Sequence, residues 1–290
     1  MMMRTDGRRP SATPRMAAWR SFLVLPLFFL SPAARIHVDG MMRDVTYLAS
    51  TIGPRVAGSA EERRAALYIL SRFDSLGYPA RLQEFTLPNG RRSANVIAGH
   101  AAEALRVVVG AHYDSRPNAP GADDNASGVS VLLELARQMA GKRRDLLFVA
   151  FGAEERIDRN RSHHHYGSRH FVQAASTGLL QGLSGMLCID CVGSGPHFYV
   201  QGMRNDGGTL AWRCRYVANQ GGIAVKGGWA GPYSDHTAFA RAGVPVVYYH
   251  RSPHPLTHTP RDTPATIRPE YLRLAVLAVS PAIEAICNRP

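Results

Sequence analysis

A chain of 290 residues that is 45% hydrophobic and 19% charged can bury one sizeable core, which excludes disordered, collagen-like and coiled-coil proteins. No segment reaches the ~18 consecutive apolar residues of a membrane-spanning helix, and 4 cysteines are too few for a disulfide-built scaffold. The formal net charge of +12 is weak support for a nucleic-acid partner. Every basic residue except Lys142 and Lys226 is an arginine, and the arginines are scattered rather than gathered in one stripe, so none is expected.

The N-terminus reads as an export signal. Arg4, Arg8, Arg9, Arg15 and Arg20 precede the apolar run 22–30, and Ser31-Pro-Ala-Ala34 follows as a small-residue stretch of the kind signal peptidases cut. The run suits a signal-peptide core and is too short for a membrane span. No cysteine follows it, so no lipoprotein anchor is expected. Residues 1–34 are therefore expected to be a signal peptide and residues 35–290 the mature domain, secreted or periplasmic, with no stable membrane anchor. Export permits disulfides, but no pairing among Cys188, Cys191, Cys214 and Cys287 can be deduced.

In the mature chain, Ser59-Ala-Glu-Glu62 reads as a capping box, and Ala66, Ile69, Leu70 and Phe73 follow at helical spacing. Short apolar runs predict strands at Asn95-Val-Ile-Ala98 and Leu105–Ala111. A second helical stripe runs through Val129, Leu132, Leu133, Ala136 and Met139. Leu146–Phe151, apolar on both faces, reads as a fully buried strand, and Gly185–Ile189 and Val244–Tyr249 as two more. Leu272, Ala275, Val276, Val279, Ile283 and Ile286 mark a C-terminal helix. This alternation predicts a single-domain α/β three-layer sandwich, a mostly parallel mixed sheet with helices on both faces. Ligands of such sheets bind just beyond the carboxyl ends of the strands.

Metal-type ligands fall at that place. The strand ending at Ala111 delivers His112-Tyr-Asp114-Ser115, and a loop carrying Gly121-Ala-Asp-Asp124-Asn-Ala-Ser-Gly128 precedes the next helix. The following strands deliver Gly152-Ala-Glu154-Glu155 and Asp190, and Ser234-Asp-His-Thr237 and Thr257-His258-Thr-Pro-Arg-Asp262 come near the end. Alone, each is an ordinary loop, cap or turn. Together they crowd carboxylates that repel one another and are costly to desolvate, which a pair of divalent cations would resolve.

These segments, with Ile52–Ser59 and Ser93–Ala98 upstream, resemble the di-zinc exopeptidase family of bacterial leucyl aminopeptidase, which also contains the glutaminyl cyclases. The resemblance spans residues 45 to 288. It implies two zinc ions, one held by His112 and Asp190, the other by Glu155 and His258, with Asp124 bridging them. Glu154 would be the general base, taking a proton from metal-bound water and returning it to the leaving amine, and Asp114 would orient the His112 imidazole. The implied activity is a zinc aminopeptidase acting on peptides with a free N-terminus. Only 68 positions separate Asp190 from His258, too few for a large lid domain, so an open site entered amine-first is expected.

The chain also departs from the family pattern. Thr257 stands where relatives often place a tyrosine, and Tyr233 is the candidate to supply that hydrogen bond. Asp235 and His236 are expected to brace their loop or cap the next helix rather than bind metal. The extended segment from Arg156 to Tyr166 holds His163-His-His165, read as a solvated loop in preference to a third metal site, and His250 and His254 are read the same way. Cys188-Ile-Asp-Cys191 has redox spacing but sits at a strand end, so its thiols are read as structural. Glutaminyl cyclase is the alternative, favoured by Tyr166-Gly-Ser-Arg-His170. A non-catalytic binding domain is disfavoured because every implied ligand and Glu154 are present.

Overall fold

The computed structural model describes residues 36–100, 105–158, 160 and 163–288; the expected export signal lies outside them. In chain order the elements are α1 (Val38–Thr46) with a wider turn after it (Tyr47–Ile52), α2 (Ala60–Ser75), β1 (Ala80–Thr86), β2 (Arg92–Ala98) and β3 (Val107–His112). Then come α3 (Gly128–Met139), β4 (Leu146–Phe151), α4 (Tyr166–Ala174), α5 (Thr177–Gly182), β5 (Gly185–Ile189) and β6 (His197–Gly202). The remainder is α6 (Thr209–Gln220), α7 (His236–Arg241), β7 (Val246–Ser252) and α8 (Pro269–Cys287). No helix among the described residues is long and apolar enough to cross a membrane.

The strands form one sheet in the order β1-β2-β4-β3-β5-β7-β6. The expected α/β class and mixed sheet are present. The central strands β4, β3, β5 and β7 are mutually parallel. The flanking pairs β1/β2, β2/β4 and β6/β7 are antiparallel, so parallel pairing is confined to the middle. Each central strand is apolar on both faces because both are covered. Val107, Val109, Phe148, Leu187 and Val247 point into a core shared with α1, α2, α3, α6 and α8. Val108, Leu147, Val149, Met186 and Val246 point to the other side, against Phe171 of α4 and Phe239 of α7. Burying each such side chain contributes ~1.5–3 kcal/mol.

Ser59 caps α2 as the sequence predicts, accepting from the Glu62 amide at 3.1 Å. The reciprocal half of the box is shifted: Glu62 Oε2 accepts from the Gly58 amide at 2.6 Å, and its Oε1 accepts from Ala153 at 3.0 Å. The helix cap therefore also holds the turn that bears Glu154.

A single buried cation joins the segment after α1 to the loops above β3. Arg55 is fully buried, and its guanidinium donates to the carbonyls of Leu48, Gly53, Tyr113, Pro120 and Gly121 at 2.6–3.1 Å. Its own amide donates to Ser115 Oγ at 3.0 Å. Burial lowers its pKa to about 10 against the pull of Asp114, Asp262 and Asp124, so it stays charged at neutral pH. Gly121, one of its acceptors, has φ +65°, and a Cβ there would lie 2.4 Å from the Asp124 carbonyl oxygen. Replacing Arg55 by Met strands these buried acceptors. We expect a loss of about 3–5 kcal/mol in unfolding free energy by urea titration; an unchanged midpoint would show that the clamp carries no stability.

Candidate metal centre

The parallel strands deliver their polar residues to one edge, as the strand-end rule requires. His112 ends β3, Glu154 and Glu155 follow β4, Asp190 follows β5, Asp124 lies in the turn Ala122–Ser127 before α3, and His258 lies in the loop before α8. Buried carboxylates hold the backbone of these turns. Asp114 accepts from the amides of Glu154 and Glu155, both at 3.0 Å. Asp262 accepts from the amides of Asp123 at 2.7 Å and Asp124 at 3.1 Å. Asp123 accepts from the amides of Gly193 at 2.7 Å and Ser194 at 3.1 Å, just beyond Asp190. Ala153, Cys191 and His258 adopt positive φ at or beside site residues, conformations that non-glycine residues keep only where neighbours hold them.

Two donor groups result: His112, Asp124 and Asp190, and Asp124, Glu155 and His258, each with its ligand atoms within 4.8 Å of one another. Asp124 is common to both, its Oδ1 3.1 Å from His112 Nε2 and its Oδ2 3.0 Å from His258 Nε2. Asp190 Oδ1 lies 3.5 Å from His112 Nε2, and Glu155 Oε1 lies 3.0 Å from His258 Nε2. The buried atoms Asp190 Oδ1 and Glu155 Oε1 have no hydrogen-bond partner. Nitrogen and oxygen donors grouped in threes around a shared carboxylate, with buried oxygens left unpartnered, fit a pair of divalent cations.

The electrostatics have the same cause. Burial and then the Asp124 charge push the Glu155 carboxyl up, and burial pushes Glu154 well above the usual carboxylate range. Burial also opposes ionisation of Asp124, but hydrogen bonds with His112 and His258 hold its pKa below the ordinary value. Asp124 and Glu155 in turn raise His258 to about 10. This crowd of carboxylates draws in positive charge.

The remaining expected residues fall as follows. Asp114, fully buried, lies with Oδ1 3.4 Å from His112 Nδ1 while it holds the Glu154 turn. Tyr233 is 71% exposed on the wall of the cavity of about 600 Å³ that opens over both donor groups. Asp235 takes the N-cap position of α7 without a side-chain bond to its first turn, and His236 braces the loop through a contact with the Gly231 carbonyl at 3.0 Å. All four thiols are buried and free. His250 stacks between Tyr199 and Tyr248, and His254 contacts Thr257 Oγ1 at 3.1 Å.

The solvated reading of His163–His165 needs correction. His163 pairs with Asp158, but His165 is buried, with Nε2 2.9 Å from Glu154 Oε1. Burial, then His164 and the other nearby imidazoles, pushes His165 down to about 2, so it is neutral. The backbone seats it there: the His165 amide donates to the Glu154 carbonyl at 2.7 Å. The sequence places this histidine ten positions past Glu155 with no periodic signal to tie it back. Tyr248, predicted only as a strand residue, also reaches the site, donating to Asp190 Oδ2 at 3.3 Å.

Residues 95–282 match the sequence model for Peptidase family M28. The chain belongs to that family. Aminopeptidase YwaD of Bacillus subtilis (strain 168) is 32% identical to this M28 chain over 189 residues, 61% of this chain and 40% of the relative. Leupeptin-inactivating enzyme 1 of Streptomyces exfoliatus is 31% identical over 212 residues, 69% and 45% of the two chains. The match thus spans less than half the length of either relative. Among solved structures, a zinc aminopeptidase from Bacillus subtilis superimposes with a TM-score of 0.79 at 21% identity, covering 87% of this chain and 95% of that one. Porphyromonas gingivalis glutaminyl cyclase gives 0.73 at 24%, covering 86% and 98%. At these identities the likeness shows one shared fold, on which both chemistries occur.

Because Asp124 belongs to both groups, Asp124→Ala should weaken cation uptake at both positions, about 100-fold or more, whereas Asp190→Ala should affect one. Calorimetric titration with a divalent cation measures this; equal behaviour of the two variants would show that Asp124 is not shared.

Proposed function

We propose that this M28 protein is a zinc-dependent aminopeptidase that hydrolyses N-terminal residues from peptides. The observation that carries the reading is the pair of donor groups sharing Asp124, with Glu154 beside them on the same cavity. In this reading His112 and Asp190 would hold one zinc and Glu155 and His258 the other, with Asp124 available to both. When bound, the ions supply Lewis acidity and lower the pKa of a coordinated water. Glu154 belongs to neither donor group, so its carboxylate is free to take the proton of the attacking water and pass it to the leaving amine. His165 Nε2 stands 2.9 Å from Glu154 Oε1, so the imidazole can orient this carboxyl, which lines the cavity. Asp114 fixes the amides of Glu154 and Glu155 and lies behind the His112 ring. Tyr233, on the cavity wall, takes the hydrogen-bonding place that Thr257 cannot fill. Peptides with a free N-terminus are the substrates, and export through residues 1–34 places the domain over 35–290 in a secreted or periplasmic setting.

Glutaminyl cyclase is the competing reading, since the fold is shared with a structure of that activity. The complete second donor group, His112 with Asp124 and Asp190, favours the peptidase, because the cyclase reaction needs only one zinc. The deciding experiment strips metal from residues 35–290 and restores zinc in steps. Release of chromophore from amino-acid anilides, rising towards two zinc ions per chain, supports the peptidase; cyclisation of a Gln-initiated peptide saturating at one zinc, without anilide hydrolysis, overturns it.

Two substitutions separate the roles. Glu154→Gln should keep its zinc and lose turnover by several orders of magnitude, and undiminished turnover removes Glu154 as the base. His165→Leu should keep its zinc and lose about 10- to 100-fold in kcat, with His165→Gln recovering part of it. Equal kcat in the Leu variant and the parent would show that the contact has no part in the reaction.

A further inference from the structure

We infer that the substrates of this site carry a carboxylate close to the scissile bond, either an acidic side chain in the first two residues or the C-terminal carboxylate of a short peptide. The inference rests on the peptidase reading and goes beyond it by naming the substrate class. Arg116 and Arg156 line the same cavity as the two donor groups. Arg116 Nη1 donates to the Arg156 carbonyl at 2.8 Å, which fixes the two residues as one corner of the cavity. Arg116 Nε stands 3.8 Å from Glu155 Oε2, so this corner adjoins the donor atoms themselves. Arg156 is exposed and makes no ion pair among the described residues.

The acidic residues that line the cavity are Asp124, Glu154, Glu155 and Asp190. In the peptidase reading all four are committed, three as cation donors and one as the base, and two divalent ions would offset their charge. The arginines then set the charge that an incoming peptide meets. His164 lines the same wall, and burial, then Arg169, Arg241 and Arg156, lower its pKa. A guanidinium at a cavity edge recognises a planar carboxylate through paired N–H donors. A lysine or arginine side chain at the same place is repelled.

The test uses the zinc-loaded protein and a matched set: Ala-Ala-amide, Ala-Ala, Ala-Glu-amide, Glu-Ala-amide and Ala-Lys-amide. Binding is read by calorimetry on the Glu154→Gln variant, which does not turn the peptides over, and hydrolysis on the parent. At least one carboxylate-bearing peptide should bind and react about tenfold better than Ala-Ala-amide, with Ala-Lys-amide worst. Which of them leads distinguishes the C-terminal carboxylate from a side chain in the first or second residue. Salt raised from 0.05 to 0.5 M should shrink the preference, since ~10 Å screening at low salt falls to a few ångströms. Arg156→Gln should abolish the preference and Arg156→Lys keep part of it, with zinc content confirming that both variants are loaded. Equal binding across the set, or a preference that survives in Arg156→Gln, overturns the inference. Hydrolysis of none of the peptides would sink the peptidase reading instead, and the calorimetric ranking would still decide this one.

Discussion

Negative charge taken out of water is the constraint on which this structure is built. Asp114, Asp124, Glu154, Glu155 and Asp190 are all at most 8% exposed and lie at one edge of one sheet. An isolated buried carboxylate is strongly disfavoured, and neighbours of like charge make it worse. The fold answers in two ways. Carboxylates away from the cavity, such as Asp114, Asp123 and Asp262, are satisfied by backbone amides and so become the fasteners of the turns. Those facing the cavity meet imidazole nitrogens at 2.9–3.5 Å, and Asp190 Oδ1 and Glu155 Oε1 keep lone pairs unpartnered. Their remaining demand is for cations.

The sheet makes this arrangement cheap to assemble. Parallel neighbours β4, β3, β5 and β7 all end on one side, so short loops suffice to bring their residues together. Both faces are sealed by helices, which excludes water from below and leaves only the strand ends open. Arg55 then ties the turn after α1 to the loops around Tyr113 and Gly121, so the segment ahead of the sheet helps to hold the loop that carries Asp124.

How far the sequence speaks follows from the same physics. The central strands were readable because two-sided burial leaves unbroken apolar runs, as in Leu146–Phe151. The donor set was readable because its residues follow those runs directly or stand in dense motifs. The edge strands β1 and β6 were not, since Ala80–Thr86 buries only Phe85 fully and mixes Arg, Gln and Glu with its apolar residues. Helices α4, α5 and α7 have 9, 6 and 6 residues, too few turns to show a period. His165, Tyr248 and Arg55 act through contacts across the fold, 58 residues apart for Tyr248 and Asp190, and local pattern holds no trace of such a pairing. The histidine run shows this plainly: composition says solvated loop, and only the returning backbone turns His165 inward.

The Asp262 clamp bears on biosynthesis. Its carboxylate holds the amides of Asp123 and Asp124 across 139 and 138 residues of chain, and His258 stands just before it. A polypeptide cut short ahead of residue 258 has its core strands but neither the last imidazole nor the carboxylate that shapes the Asp124 turn. Such a fragment lacks one of the five candidate donors and the clamp on another. The order of the chain thus leaves the second donor group incomplete until the loop before α8 is in place.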